Sequence, residues 1–468
     1  MLSTTHLITI IATLLLATGL GLYSKQRVRS AADFAVGGRS LSAPVVAGTI
    51  VGTLVGGAST IGTAQMAFQY GFSAWWFTLG GGIGCLVLAL LAGPLRRSGA
   101  STGPGFLVQA YGPPAGLLAT LFSSLGILLN IVGQMLAAVA LLTSMFGLAE
   151  TTAGVIAGLV VVAYVVFGGV WSTGLVGSLK VGLLYLAMAG VGWLAYNLGG
   201  GMAGFTAAFP PEPWFSLFGR GVGPDLAAGF ALIVGVLSTQ TYLQAIFSGR
   251  DGRASRRGAL ISAAIIPPIG LAGIWVGLYM RATAPQINPR EALPLFILQY
   301  LPDWFGGLVL ATLFIATVGT GAGLVLGVST MFTEDLYRKV IAPAASDRQL
   351  LRIARIGVVG VTGLGLLLAL GQANSLILEW SFLSMGLRGA TICFPLLGAI
   401  LLPGYISRRA GVWAIALGPA SAILWAILGV DSVDPLYVGL LVSLATLGLG
   451  SLVATAGWVE RSETQHKT

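Results

Sequence analysis

Two basic residues stand inside apolar segments long enough to cross a bilayer. Lys180 lies near the start of a segment that runs from 175 to 198, and Arg388 lies near the middle of one that runs from 375 to 402. A charge at the bilayer centre costs about 2.5 to 3.5 kcal/mol on insertion scales, so such a residue is paired, neutral or functional. The alternative for Lys180 is that its long side chain extends to the nearby membrane interface.

Arg388 needs a partner that its own helix does not supply. Glu379 is nine residues earlier, a separation of about 13 Å along a straight helix. A carboxylate on a bound solute would suit the guanidinium through a bidentate contact. Capping of carbonyls at a broken helix, or pairing with another helix, is an equal alternative. A small carboxylate or amino acid is therefore the candidate solute.

Polar residues within the predicted spans are candidates to line the same cavity. They are Gln134, Thr239, Gln240, Tyr242, Ser381 and Ser384. Enzyme chemistry has little to work with, because Cys85 and Cys393 lie inside predicted spans as inert thiols. His6 and His466 stand at the two ends of the chain. We therefore expect neither catalytic residues nor a cofactor.

The composition is that of a membrane protein. Charged residues make up 8% of the 468 and hydrophobic residues 56%, whereas a soluble domain carries roughly a quarter charged residues. Runs of about 20 apolar residues, the length that crosses a bilayer, recur along the chain. They predict an all-α membrane protein with about thirteen transmembrane helices, at 5–23, 43–68, 72–91, 114–145, 153–169, 175–198, 226–247, 259–280, 306–332, 356–370, 375–402, 411–428 and 436–458.

Basic residues concentrate in alternate loops. They cluster at 25–39, 96–97, 250–257, 338–355, 408–409 and 461–467. Cytoplasmic loops carry the excess of Lys and Arg, which predicts a multi-pass protein of the inner (cytoplasmic) membrane with its N-terminus outside and its C-terminus in the cytoplasm. The same asymmetry explains the net charge of +9, so the expected partner is the lipid bilayer and not a nucleic acid.

The spans divide into two groups of five within a single transporter domain, 1–468. The first group covers 42–198 and the second, inverted group 223–404, with an extra helix and lead-in at 1–41 and two further helices at 409–458. Transporters are often built from such repeats, and segments 50–54 and 233–237 share the pattern Ile-Val-Gly-x-Leu. The glycine-rich run 48–62 predicts unwound backbone in mid-membrane, which is tolerated where it lines a cavity or binds a ligand. Close helix packing is the alternative.

Five short motifs lie at the ends of predicted spans. They are Asp33-Phe34 with Gly37-Gly38-Arg39-Ser40, Ser59-Thr60-Ile61-Gly62 with Tyr70-Gly71, Gly168-Gly169, the segment 240–244, and Ser329-Thr330 with the segment 333–339. They resemble motifs of the sodium:solute symporter family, whose members include bacterial proline, pantothenate, sialic acid and sugar symporters. The motif at 333–339 is the most specific, and the resemblance covers nearly all of the chain.

The resemblance implies a LeuT-type five-plus-five inverted repeat and sodium-coupled symport of a small organic solute by alternating access. It also implies a Na⁺ site between the first and eighth core helices. Carried over by motif, the site takes the carbonyls of Gly52, Val55 and Ala316. Gly319 and Thr320 stand where the family usually has two hydroxyl residues. Spacings of three and four place Ala316, Gly319 and Thr320 on one helical face.

Two departures leave the coupling ion open. Gly319 removes one expected hydroxyl, and Gly177 stands where many relatives carry an aspartate, with Lys180 close by. In the first hypothesis sodium drives transport. In the second, the ammonium of Lys180 replaces the sodium ion, and the carrier is proton-coupled or independent of ions. A membrane solute sensor is a third hypothesis, which the short polar tail after Trp458 disfavours because it leaves no room for a signalling domain.

Overall fold

The computed structural model describes residues 2–24, 39–168, 175–372, 374–430 and 433–465. The motif residues Asp33-Phe34, Gly37-Gly38 and Gly169 lie outside the described residues, as does His466. The described chain is helical, and an isolated backbone bridge joins Leu41 to Gly249. An all-α fold is therefore confirmed.

Most of the helices are joined by short connecting segments. In chain order they are α1 (Thr4–Ser24), α2 (Ala43–Leu54), α3 (Thr63–Tyr70), α4 (Trp76–Arg97), α5 (Gly103–Tyr111), α6 (Pro113–Phe146), α7 (Glu150–Gly168), α8 (Leu175–Leu198), α9 (Gly201–Ala208), α10 (Pro211–Trp214), α11 (Val222–Ser238), α12 (Gln240–Ser248), α13 (Gly252–Thr283), α14 (Ala292–Tyr300), α15 (Asp303–Met331), α16 (Asp347–Gly371), α17 (Ile377–Leu401), α18 (Arg408–Ile427) and α19 (Pro435–Gln465). Segments Ala58–Gly62 and Phe332–Ile341 are π-helical, and Gly71–Trp75 and Pro289–Glu291 are 3₁₀ turns.

The predicted break in the first glycine-rich span is confirmed between α2 and α3. Val55 leaves the helix with φ −90° and ψ 103°. The N–H of Gly56 donates to Ser59 Oγ (2.9 Å), and the N–H of Gly57 donates to Gln134 Oε1 of α6 (3.2 Å). Side-chain oxygens thus accept hydrogen bonds from backbone N–H groups that helix carbonyls would accept in an unbroken helix.

A second break separates α11 from α12 at Thr239. Thr239 has φ −85° and ψ 123°, and the two helices meet at an angle of 46°. Its hydroxyl donates to the carbonyl of Gly235 (2.6 Å). In both halves of the chain the break therefore follows the shared Ile-Val-Gly-x-Leu segment.

Length and composition give fewer spans than the sequence predicted. Among the described residues, eight helices are long and apolar enough to cross a membrane, or nine if the bent pair α11 and α12 counts as one span. Shorter apolar helices occur at Thr4–Leu16, Ala43–Leu54, Glu150–Val166 and Pro435–Ser451. A multi-pass architecture is confirmed, and the count of thirteen stays a prediction.

Several helices begin earlier than the apolar pattern predicted. Asp251, Ser346 and Ser407 cap α13, α16 and α18, and Ser346 forms a capping box with Gln349. The hydrogen bond from the N–H of Ala254 lowers the pKa of Asp251. Hydrophobicity marks only the apolar part of a helix, whereas these caps start it in the polar loop.

The helices form two packed groups. The first group is α2, α3, α4, α11, α12 and α13, and the second is α6, α7, α15 and α16. Helices α8 and α17 contact both groups, and α1 packs against α15. We call the end of the bundle with Arg96, Arg250 and Arg408 the basic end, and the opposite end the far end.

Candidate functional site

Lys180 bridges the two helix groups at the first break. Its side chain is 7% exposed, and Nζ donates to the carbonyl of Gly52 on α2 (2.9 Å) and to Oγ1 of Thr320 on α15 (2.7 Å). The ammonium therefore lies inside the bundle, between the first broken helix and α15. The side chain is therefore directed into the bundle, unlike the side chain expected if Lys180 extended to the membrane interface.

The sodium ligands predicted from the resemblance lie around the same point. Gly52 and Thr320 each turn one oxygen toward the ammonium, and Val55 and Ala316 are fully buried on the same two helices. A Cβ at Gly319 would meet nothing within 4 Å. Hard cations require several oxygen ligands. The groups present fit the ammonium of Lys180 better than a sodium ion, because two of the predicted oxygens already face a cation.

Arg388 lies at the second break and is 1% exposed. Its Nη1 donates to Thr239 Oγ1 (3.0 Å), and its Nε donates to the carbonyl of Ser384 (3.0 Å). Nη2 contacts Ser384 Oγ (2.8 Å) and Met385 Sδ (3.4 Å). All four contacts are to uncharged groups. A buried charge without an opposite charge is costly, so this arrangement is a candidate site for an anion.

Helix α17 joins Arg388 to the second helix group. Ser384 also donates through Oγ to the carbonyl of Gly126 on α6. Ser381, one turn earlier, is fully buried, and its Oγ has no hydrogen-bond partner among the described residues. A Cβ built at Gly133 of α6 lies 3.5 Å from that oxygen. The spacing of 381, 384 and 388 places these side chains on one face of α17, along its contact with α6.

Not every residue that was predicted to bind the substrate contacts Arg388. Gln134 contacts the first break, where it accepts the N–H of Gly57. Gln240 instead accepts the N–H of Gly103 (2.9 Å) at the start of α5. Tyr242 is buried within α12, and no hydrogen bond connects it to Arg388. Thr239 and Ser384 are thus the predicted residues in direct contact with Arg388.

Sequence reasoning missed two polar residues. Gln65 of α3 donates to the carbonyl of Ser375 (3.2 Å) and accepts the N–H of Ile377 (2.9 Å), which ties the first broken helix to the start of α17. Asn130 lies one turn before Gln134, and its Oδ1 is 3.5 Å from Gln134 Nε2. An amide inside an apolar run was the available signal for both, because a buried amide needs partners.

Two helices broken at corresponding places, with buried polar and cationic side chains at the breaks, define the architecture of a membrane solute transporter. The family described as "Sodium:solute symporter family" matches residues 34–410, which is more than half of the chain. The chain belongs to the sodium:solute symporter family.

Solved structures share this fold. A Na⁺-coupled sialic acid symporter in a substrate-bound, outward-open state matches with a TM-score of 0.73 at 18% identity, over 97% of this chain and 98% of that one. MHP1, a nucleobase-cation-symport-1 family transporter in a closed conformation with bromovinylhydantoin, has a TM-score of 0.57 at 15% identity, over 90% of this chain and 93% of that one. MhsT in complex with L-phenylalanine has a TM-score of 0.57 at 15% identity, over 89% of this chain and 98% of that one. The LeuT-type fold is confirmed.

Proposed function

We propose that this chain is a secondary active transporter in which the ammonium of Lys180 replaces the coupling sodium ion. The solute is a small organic molecule, a carboxylate or an amino acid, carried across the membrane by alternating access. The observation that carries the proposal is the contact of Lys180 Nζ with Gly52 on one helix group and Thr320 on the other. A sodium ion at that point would connect the same two groups.

The protonated lysine holds the two groups together. Hydrogen bonds from an ionised donor are roughly twice as strong as neutral ones, so loss of the proton weakens both contacts. The broken helix α2 is then free to move relative to α15. A proton that leaves Lys180 in one orientation of the carrier and returns in the other couples its movement to that of the solute.

Sodium coupling remains the second candidate. Membership of the family and the Na⁺-coupled symporter among the similar structures favour it. It requires sodium to bind beside an ammonium, or Lys180 to be neutral when sodium binds. Two unit charges about 4 Å apart repel by about 4 kcal/mol at an effective dielectric constant of 20. The geometry therefore favours the lysine.

The charge pattern supports a proposal for the orientation in the membrane, and the two helix breaks support one for the inverted repeats. We place the basic end in the cytoplasm and the N-terminus outside, in the cytoplasmic membrane. The inverted repeats correspond to residues 42–198 and 223–404, since each contains one broken helix that follows the shared segment. Lys180 then lies on the last helix of the first repeat and Arg388 on the last helix of the second.

The test is tracer uptake into proteoliposomes from a panel of small carboxylates and amino acids. Uptake is driven in turn by a sodium gradient, a proton gradient and neither, in wild type and in Lys180→Ala. Lys180→Arg is the matched control, because it keeps a positive charge but cannot release its proton. The proposal expects uptake that ignores sodium, and expects proton-driven uptake to be lost in both Lys180→Ala and Lys180→Arg. Sodium-driven uptake that is equal in all three proteins would refute it.

A further inference from the structure

Arg388 is a buried cation whose charge nothing nearby balances. In the part of the chain that the structure describes, no carboxylate lies within 4.0 Å of the guanidinium. Among the residues whose burial the structure describes, Asp225 is the one buried acid, and it pairs with Arg220. The partners of Arg388 are a carbonyl, two hydroxyls and a thioether. A guanidinium has five N–H donors, and a carboxylate is a stronger acceptor for them than any of these neutral groups.

The surroundings of Arg388 are polar enough to receive a ligand. Thr239 stands at the break between α11 and α12, where the chain departs from helical geometry. Unwound backbone at membrane depth is tolerated where it is buried in protein or lines a cavity. The fully buried hydroxyl of Ser381 lies two turns before Arg388 on the same helix and has no hydrogen-bond partner among the described residues. A cation and an unpartnered donor thus share one face of α17, beside a broken helix.

We propose that Arg388 binds the carboxylate of the transported solute, and that the solute is a small monocarboxylate without an ammonium group. The carboxylate replaces the hydroxyl of Thr239 as the acceptor for Nη1 and makes a paired contact with the guanidinium. Ser381 is placed to donate to the same ligand. This inference rests on the proposed function only in that the chain carries a solute, and it does not depend on which ion drives transport.

The charges of the bundle favour a simple acid over an amino acid. Lys180 and Arg388 are both buried cations, each at one of the two helix breaks. An ammonium on the solute would be repelled by both. No buried carboxylate among the described residues is free to accept it, because Asp225 already pairs with Arg220.

Equilibrium binding to the purified full-length protein tests the inference without any ion gradient. Intrinsic tryptophan fluorescence is titrated with acetate, pyruvate and benzoate, each beside its neutral amide, and with alanine. We expect at least one acid to bind and to exceed both its amide and alanine in affinity. Equal or tighter binding of the amides or of alanine, or no binding of any acid, would overturn the inference.

Substitutions then locate the binding group. Arg388→Gln should weaken binding of the acid about tenfold to a hundredfold, the range for a hydrogen-bonded charge contact, and Arg388→Lys should restore part of it. The matched control is Arg290→Gln, since Arg290 is also buried but pairs with Glu150, and it should leave the preference for acid over amide unchanged. If acid binding is unaffected in Arg388→Gln, Arg388 has a structural role and does not bind the ligand.

Thr239→Val distinguishes a ligand-binding role of Arg388 from a purely structural role, even if Arg388→Gln fails to fold. Loss of the hydroxyl releases Nη1, so a ligand site predicts acid binding that is equal or tighter. A purely structural role of Arg388 predicts that Thr239→Val lowers the unfolding temperature and that no variant prefers acids. Each titration is run in sodium chloride and in choline chloride. A preference for acids that needs sodium would refute the proposed coupling and leave the assignment of Arg388 standing.

Discussion

If the ammonium of Lys180 replaces the coupling sodium ion, as proposed, then replacement of Lys180 by alanine should create a site that binds sodium. The ammonium donates to Gly52 O and Thr320 Oγ1, so its removal frees two oxygens that the family resemblance assigned to sodium. In wild type, a sodium ion about 4 Å from the ammonium would be repelled by about 4 kcal/mol at an effective dielectric constant of 20. Loss of that repulsion corresponds to an affinity for sodium higher by about three orders of magnitude.

A second substitution should strengthen the effect. A Cβ at Gly319 meets nothing within 4 Å, so a serine fits there without displacing a neighbour. Lys180→Ala with Gly319→Ser restores the hydroxyl that the family usually carries at that position. One added hydrogen-bonding oxygen is worth about 1 kcal/mol, or roughly a further fivefold in affinity.

The assay is the unfolding temperature of the purified protein in sodium chloride and in choline chloride at equal ionic strength. A ligand present at about 100 times its Kd stabilises the folded state by about 2.7 kcal/mol. We therefore expect a sodium-specific rise in the variants and none in wild type. A rise of equal size in wild type would show that the ammonium does not exclude the ion. No rise in the double variant would show that these oxygens do not form a sodium site.

Three further substitutions test the packing around the breaks. Gln65→Leu removes both hydrogen bonds from α3 to the start of α17, so a cysteine introduced at that helix start should react faster with a thiol reagent. An unchanged rate would show that these bonds do not hold the helix start in place. Gly57→Ala places a Cβ 2.7 Å from a threonine hydroxyl and an alanine methyl, so it should lower the unfolding temperature by overpacking worth about 1 to 3 kcal/mol, whereas the control Gly319→Ala should not. Asp225→Asn leaves the guanidinium of Arg220 without its buried partner, so thermal unfolding should show a loss of about 3 to 5 kcal/mol, and a loss below 1 kcal/mol would mean that solvent screens the pair.

Local sequence was enough to place helices such as α8 and to place the break in the glycine-rich span. The prediction for 175–198 coincides with α8, and the glycine-rich run contains the break at Val55. Apolar length and glycine content are properties of neighbouring residues, so they can be recognised from the sequence alone. Helix starts were harder, because caps such as Ser346 extend a helix into polar sequence that hydrophobicity does not mark.

The sequence by itself, through its apolar runs and its family resemblance, predicted a multi-pass transporter of the LeuT type with a basic residue inside each of two apolar spans. Only the tertiary structure decided what those cations touch. Lys180 meets partners 128 and 140 residues away along the chain, and Arg388 meets Thr239 at a separation of 149. Contacts at such separations depend on how whole helices pack, and no local pattern encodes them. The sequence therefore left open whether Lys180 extends to the membrane interface, and the fold shows its ammonium in contact with Gly52 and Thr320 inside the bundle.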